Sequence, residues 1–247
     1  PEGSACIVNA VSYRDMEVFM LGLLKARSAG KRFLYRTAAS FVRVRAGVIP
    51  RSELISGSDL VSDTKTGGLF VVGSYVPKTT AQVKALIRQT DICPVEMDVS
   101  RILDPDTRDR VVKGAADQVN LALAAGKDTV VYTSRDLVRS DDPVKSLEIG
   151  QQVSASLIHV VRNIARPPRY LVAKGGITSS DVATKGLFVR RAMIMGQALP
   201  GVPVWQLGPE SAYPGMHYIV FPGNVGEDEA LVEVQERLSR ELPGASC

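Results

Sequence analysis

Histidine and cysteine are scarce in this chain of 247 residues. There are two histidines, His159 and His217, and three cysteines, Cys6, Cys93 and Cys247. The cysteines are odd in number, far apart and never in a Cys-x-x-Cys pair, which argues against a disulfide framework and against a zinc site, and reduced thiols fit a cytoplasmic protein. His159 falls in an apolar helical stretch and His217 just before a strand, so both are expected to be structural. No apolar run approaches the roughly 18 residues that span a bilayer. A charged-then-apolar leader is missing too, and the expected location is the cytoplasm. Also lacking are a Gly-x4-Gly-Lys-Ser/Thr loop, a Gly-x-Gly-x-x-Gly fingerprint and a Gly-x-Ser-x-Gly elbow. These absences count against a Walker-type site, a nicotinamide-dependent oxidoreductase and a serine hydrolase.

What is present is the balance of a soluble globular protein, 45% apolar and 23% charged. The length suffices for one large α/β domain or two unequal pieces. Charge is uneven. Up to Arg51 there are nine Lys or Arg against Glu2, Asp15 and Glu17, so this segment carries +6 of the total +4 and the remainder −2. Aromatic interleaving and nucleic-acid motifs are both missing, so a solvated basic face or an anionic small molecule explains it better than DNA or RNA. Arg36, Arg43 and Arg45 lie among apolar residues in FLYRTAASFVRVRAG, where a guanidinium calls for a partner.

Read in order, Ala5–Val11 suggests a strand, 14–29 a helix with Met16, Phe19, Met20, Leu23 and Leu24 on one side, and Lys31–Tyr35 a second strand. From Ile49 to Thr66 the apolar period fades into Pro, Ser, Gly and Asp, a candidate linker. Beyond it come a strand at 69–72, a helix capped by Thr79 or Thr80, a strand within PVEMDVSRIL, a helix over 106–125, a strand at 128–133 and a long helix over 143–165. Asp141 and Asp142 precede that long helix as a cap or, alternatively, as a metal-binding carboxylate pair. A strand at 170–173, two β-like runs split by Leu199-Pro200-Gly201, a strand at 218–221 and a final helix complete the chain.

Three strand ends share one grammar. Tyr170–Ala173 runs into Gly175-Gly176, with Thr178, Ser179 and Ser180 as candidate helix caps; Leu69–Val72 runs into Gly73-Ser74; and Tyr218–Phe221 runs into Pro222-Gly223-Asn224. Each turn can be an ordinary connection or a place for an anion, because a helix N-terminus offers free N–H groups and a positive dipole end. Ligands of open α/β sheets sit at the carboxyl ends of the strands, so the three turns could converge on one ligand. The predicted fold is α/β: an open, mostly parallel sheet with helices on both faces and Gly turns at the strand C-termini.

The segments VNAVSYRDMEVFMLGLL, GKRFLYRTAASFVRVRAG, VVGSYVPKTTAQ, KGGITSSDVATKGL, GVPVWQLGPES and IVFPGNVG, in that order, resemble the four-carbon acid sugar kinase family, which includes threonate and erythronate kinases. The resemblance implies an ATP-holding carboxyl-terminal domain at residues 62–247, preceded by the end of a substrate domain at residues 1–61. It implies nucleotide contacts at Ser74, Gly175, Gly176, Ile177, Thr178, Gly223 and Asn224, with ATP and Mg²⁺ as cofactors. Two departures stand out: the family's Asp-Asp-x-Thr-Gly motif has no counterpart here, and Phe221-Pro222 stands where many members have Lys-Ser.

The expected function is therefore the ATP-binding portion of a sugar-acid kinase in carbohydrate metabolism. Its expected partners are a sugar acid, a nucleotide, an amino-terminal domain of the same protein and possible homodimerisation, and the chain alone is expected to be inactive toward sugar acids. Arg36, read as the end of a strand, is the candidate ligand for the substrate carboxylate. A non-catalytic module that binds a nucleotide or another anion is the alternative.

Overall fold

The computed structural model describes residues 4–49, 51, 53–60, 64–73, 76–134 and 142–239. The chain divides into two compact units, Pro1–Ser52 and Glu53–Cys247.

The first unit is helical where it is regular. Helix α1 (Tyr13–Ser28) starts at a capping box in which the Ser12 hydroxyl accepts from the Asp15 N–H and the Asp15 carboxylate accepts from the Ser12 N–H. It is followed by α2 (Ala39–Ala46), which ends on the left-handed Gly47. The rings of Phe19 and Phe41 meet at 6.4 Å and those of Tyr35 and Phe41 at 5.7 Å. The two strands expected at 5–11 and 31–35 do not form, and Ile7, Val11, Phe33 and Leu34 are exposed. A strand exists only where its N–H and C=O groups pair with a neighbour, and this unit has no strand among the described residues.

The second unit is an open sheet of seven strands in the order β2-β3-β1-β4-β7-β6-β5. They are β1 (Leu69–Val72), β2 (Cys93–Met97), β3 (Thr129–Thr133), β4 (Tyr170–Lys174), β5 (Ala192–Leu199), β6 (Val202–Leu207) and β7 (His217–Phe221). β2, β3, β1, β4 and β7 are mutually parallel, while the two β-like runs of the sequence pair antiparallel as the hairpin β5–β6, with β6 antiparallel to β7. The central strands read as unbroken apolar runs because both faces are covered. Leu69, Val71, Leu171 and Ala173 pack on one side with residues of α4 (Val99–Leu103), α5 (Pro105–Ala124), α6 (Pro143–Arg162) and the turn after α7 (Gly176–Asp181). Phe70, Val72, Tyr170 and Val172 pack on the other with α3 (Pro77–Gln89) and α8 (Ala230–Ser239). Ile55 and Leu60, inside the stretch read as a linker, belong to this second core.

Several local details differ from the sequence reading. α3 begins at Pro77 with Val76 as its N-cap, so Thr79 and Thr80 lie inside the first turn and cap nothing; proline fits the first helical position, where no N–H is needed. PVEMDVSRIL divides into β2 and α4, because the Asp98 carboxylate accepts from the N–H groups of Ser100 and Arg101 and starts a helix. Asp142 is the cap of α6, accepting from the Val144 N–H at 2.8 Å, whereas Asp141 lies outside the described residues.

At the amino ends of the strands a buried carboxylate gathers the layers together. Asp128 accepts from the Gly68 N–H at 2.6 Å, the Tyr170 hydroxyl at 2.8 Å, the Gln235 amide at 3.0 Å and the Ser239 hydroxyl, and Arg169 pairs with it at 3.2 Å. It thereby joins the starts of β1, β3 and β4 to the end of α8. Burial, then the Asp128 charge, pushes the Tyr170 phenol well above its ordinary value, so it stays a donor. Replacing Asp128 by Ala strands several buried donors at once, each worth about 1–3 kcal/mol. Asp128→Ala is expected to lower the urea-unfolding free energy by about 3 kcal/mol or more, and a loss below about 1 kcal/mol would contradict this role.

Candidate functional site

The strand register sets the height of every loop at the carboxyl edge. Val72 of β1 pairs with Lys174 of β4, and Lys174 pairs with Phe221 of β7, so the turns that follow all start at one level. β1 lies between β3 and β4. The chain leaves β1 toward α3 on one face and β4 toward α7 on the other, which opens a crevice between them.

A cavity of about 910 Å³ occupies this crevice. Its floor is turn backbone: Gly73 after β1, Gly175, Gly176, Ile177 and Thr178 after β4, and Gly223 and Asn224 after β7. Thr133 and Ser134 at the end of β3 and Val76, Pro77 and Lys78 at the start of α3 also line it. One face of α6 forms the remaining wall. There Ile149, Val153 and Leu157 are apolar, and Ser146, Gly150 and Ser154, spaced by four residues, are small.

The six candidate residues from Gly175 to Thr178 and at Gly223–Asn224 thus share one cavity. Ser74 lies outside the described residues. Arg36 belongs to the first unit, where it is exposed in a segment without regular structure, so the expectation that it ends a strand is corrected. Arg43 stacks on the Tyr13 ring at 3.9 Å, a cation–π contact, and pairs with no carboxylate among the described residues.

Donors at the cavity include the backbone groups of the turns beside polar side chains such as Lys78, Thr178 and Asn224. Val76 provides no side-chain cap for α3 and Gly175 none for α7, so the first N–H groups of both helices are uncapped by those side chains. The expected caps after β4 do something else. The Ser179 hydroxyl donates back to the Ala173 carbonyl at 2.6 Å, while the Ser180 carbonyl accepts from Thr184. Gly175 has φ 109°, ψ 145°, a conformation essentially reserved for glycine, and its N–H donates to the Phe221 carbonyl at 2.9 Å. A Cβ on Gly73 would stand 2.8 Å from the Thr178 hydroxyl, so the β1 and β4 turns are in direct contact.

After α7 the helix widens into a π turn, Val182–Gly186, which the sequence reading missed. Asp181 sits at this junction, accepting from Ser154 of α6 at 2.6 Å and pairing with Lys185 at 2.8 Å. Burial opposes its ionisation, but the bonds from Lys185 and Ser154 outweigh it and hold the carboxyl below its ordinary value. The α6 wall is tied to the β4 turn through this carboxylate. On the far side of Gly175, Lys174 is fully buried and donates to the carbonyls of Pro222 at 2.8 Å and Gly223 at 3.3 Å. Sequence reasoning missed Lys174; a lysine closing an otherwise apolar strand was the available signal.

His217 is buried at the opposite end of the sheet, with burial lowering its pKa, while His159 is exposed, so neither lines the cavity. The His217 Nδ1 has no hydrogen-bond partner among the described residues. Among the described residues no carboxylate lines the cavity and no group of three or more His, Cys, Asp or Glu could hold a metal ion. The described lining by itself does not fit a protein-built Mg²⁺ site. Among the described residues, also, no helix is long and apolar enough to cross a membrane.

The family described as nucleotide-binding C-terminal domain matches this chain over residues 69–231, from the first residue of β1 into α8. Several solved structures are similar. One is described as a putative tRNA synthase from Salmonella typhimurium LT2, at 19% identity and TM-score 0.63 over 92% of this chain and 51% of that one. A Haemophilus influenzae protein of the DUF1537 family has 18% identity and TM-score 0.60 over 94% of this chain and 53% of its own. A DUF1537 protein from Bordetella bronchiseptica, described with bound citrate as a domain-swapped dimer, has 18% identity and TM-score 0.54 over 94% and 53%. At these identities the likeness establishes the fold alone. The chain spans about half the length of these relatives. No curated protein matches it in sequence.

Two neighbouring glycines separate scaffold from site. Gly175→Ala forces a side chain into the glycine-only region and is expected to cost about 1–3 kcal/mol in urea unfolding. At Gly176 an added Cβ meets nothing within 4 Å. Gly176→Ala should leave stability within about 0.5 kcal/mol while weakening ligand binding, since the methyl enters the cavity. The reverse pattern would contradict the assignment of Gly176 to the lining.

Proposed function

This chain belongs to the nucleotide-binding C-terminal domain family, and from that premise we propose that it is the ATP-holding portion of a kinase acting on a four-carbon sugar acid. One observation carries the reading: the Gly turns after β1, β4 and β7 stand level around a single cavity whose other wall is the apolar face of α6. The adenine would lie on Ile149, Val153 and Leu157, in the room left by Ser146, Gly150 and Ser154. The phosphates would accept from N–H groups of Gly176, Ile177, Thr178, Gly223 and Asn224, from the Thr178 hydroxyl and from the first turn of α3. Lys78, at the start of α3, would add positive charge. Ser74 is retained as a nucleotide contact on the sequence resemblance alone.

Phosphoryl transfer demands position and charge neutralisation more than covalent chemistry from the protein. The acceptor hydroxyl attacks the γ-phosphorus and releases its proton to solvent, the bond to the β,γ-bridging oxygen breaks and ADP departs. Mg²⁺ would enter on the phosphate oxygens, keeping several of its waters. The sugar acid would be held by the substrate portion of the protein, residues 1–61 here together with an amino-terminal domain of the same polypeptide. Arg36 would bind its carboxylate. The dimer described for the Bordetella relative supports homodimerisation as part of the same proposal, and the cytoplasm is the proposed location.

Calorimetric titration of ADP with Mg²⁺ into the folded chain is expected to give saturable binding below millimolar concentration, and no heat up to millimolar ADP overturns the reading. In the intact polypeptide, Arg36→Ala is expected to raise KM for the sugar acid and leave that for ATP unchanged. Equal effects on both would remove Arg36 from the acid site. ADP binding without acid-dependent ADP release in the intact polypeptide would replace the kinase with a non-catalytic nucleotide-binding module.

A further inference from the structure

Lys174 is a buried cation that forms no ion pair among the described residues. Its ammonium lies 4.1 Å from the centre of the Phe221 ring and donates to the carbonyls of Pro222 and Gly223. Those residues form the turn that brings Gly223 and Asn224 to the cavity. Lys174 itself is not on the lining, and the next two residues of its own strand end, Gly175 and Gly176, are. A buried ammonium satisfied, among the described residues, by carbonyls and a ring face is costly to keep, and a methionine of similar length would fill the same space without that cost. A purely structural tie between β4 and β7 is already supplied by the ladder and by the Gly175 N–H bonded to the Phe221 carbonyl.

We propose that Lys174 is a positioning residue for the anionic ligand of this cavity. Its ammonium clasps the Pro222–Gly223 carbonyls, fixes the β7 turn against the β4 turn, and places a positive charge beneath the site where phosphate binds. The proposal rests on the nucleotide reading for the identity of the anion but not for the clasp. Burial first, and then the neighbouring charge of Lys78 on α3, lower the Lys174 pKa from 10.5 to about 8. The contacts from the β7 side, Phe221, Pro222 and Gly223, are uncharged.

Between about pH 8 and the unfolded value of 10.5 the folded chain holds fewer protons at this site than the unfolded one, so its stability contribution rises with pH across that window. Below pH 8 the full cost of the buried charge is present. Lys174→Met should therefore fold at least as well as the parent at neutral pH, and it should lose the parent's gain in stability over the window. Anion binding favours the protonated amine, so ADP affinity of the parent should fall as pH rises through 8.

The test uses Lys174→Met in two measurements on the full chain. Without nucleotide, amide hydrogen exchange at residues 223–225 is expected to be faster in the variant than in the parent. Unchanged exchange overturns the clasp whether or not ADP binds. With ADP, the variant is expected to bind roughly tenfold more weakly at pH 7, in line with losing a charged hydrogen-bonding group, and with less dependence on pH than the parent. Undiminished ADP affinity overturns the positioning role even if the turn loosens. Faster exchange in the variant, with no ADP binding by the parent, supports the clasp and overturns the nucleotide reading instead.

Discussion

The register of three parallel strands is the constraint on which the rest of the site depends. Because Val72, Lys174 and Phe221 stand side by side, the backbone leaves the sheet at one height in three adjacent places, and three short turns reach the same volume of space. Parallel pairing enforces this in a way that local sequence cannot, since a slip of one residue would exchange the two apolar faces and break both cores. Close packing between the turns follows from the register. Gly73 touches Thr178, and Gly223 lies within reach of Gly175. A Cβ at Gly73 would crowd Thr178 and Leu157, whereas one at Gly223 would make only ordinary contact with Gly175.

The two ends of the sheet do different work. At the amino end Asp128 collects donors from two strand starts and from α8, and all of that hydrogen bonding is spent inside the protein. At the carboxyl end Val76 and Gly175 give α3 and α7 no side-chain cap, and Lys174 is a cation with no carboxylate partner among the described residues. The uncapped helix starts and the Lys174 charge thus lie at the carboxyl end, and Asp128 with its donors lies at the amino end. Asp181 couples the two sides of the rim by joining α6 to the β4 turn, so the apolar wall and the donor floor keep a fixed spacing.

Much of this was legible from residues alone. Unbroken runs such as Leu69–Val72 and Tyr170–Ala173 announce strands covered on both faces, and Gly-Gly after the second marks the turn that lines the cavity. What local patterns miscast is physically coherent. Ala5–Val11 and Lys31–Tyr35 have strand composition, but pairing partners, which composition does not contain, decide whether a strand forms. Thr79, Thr178, Ser179 and Ser180 are good caps by type, yet Pro77 and the special backbone of Gly175 fix the helix starts earlier. The α6 wall was present in the sequence as Ser146, Gly150 and Ser154 at intervals of four beside apolar positions, a spacing that reads as a face with room in it only once a neighbour is known. Lys174 and Asp128 were hidden for a related reason. A single charge at the edge of an apolar run shows its burial, and hence its importance, only in three dimensions.

The proposed nucleotide lies in the cavity with its phosphates on the level turns and its base on α6. Amide and methyl chemical-shift mapping during titration with ADP reads both halves of that placement together. The account predicts the largest shifts at the amides of Gly176, Ile177, Thr178, Gly223 and Asn224 and at the methyl groups of Ile149, Val153 and Leu157. Shifts gathered elsewhere, with these groups unmoved at saturation, would contradict it.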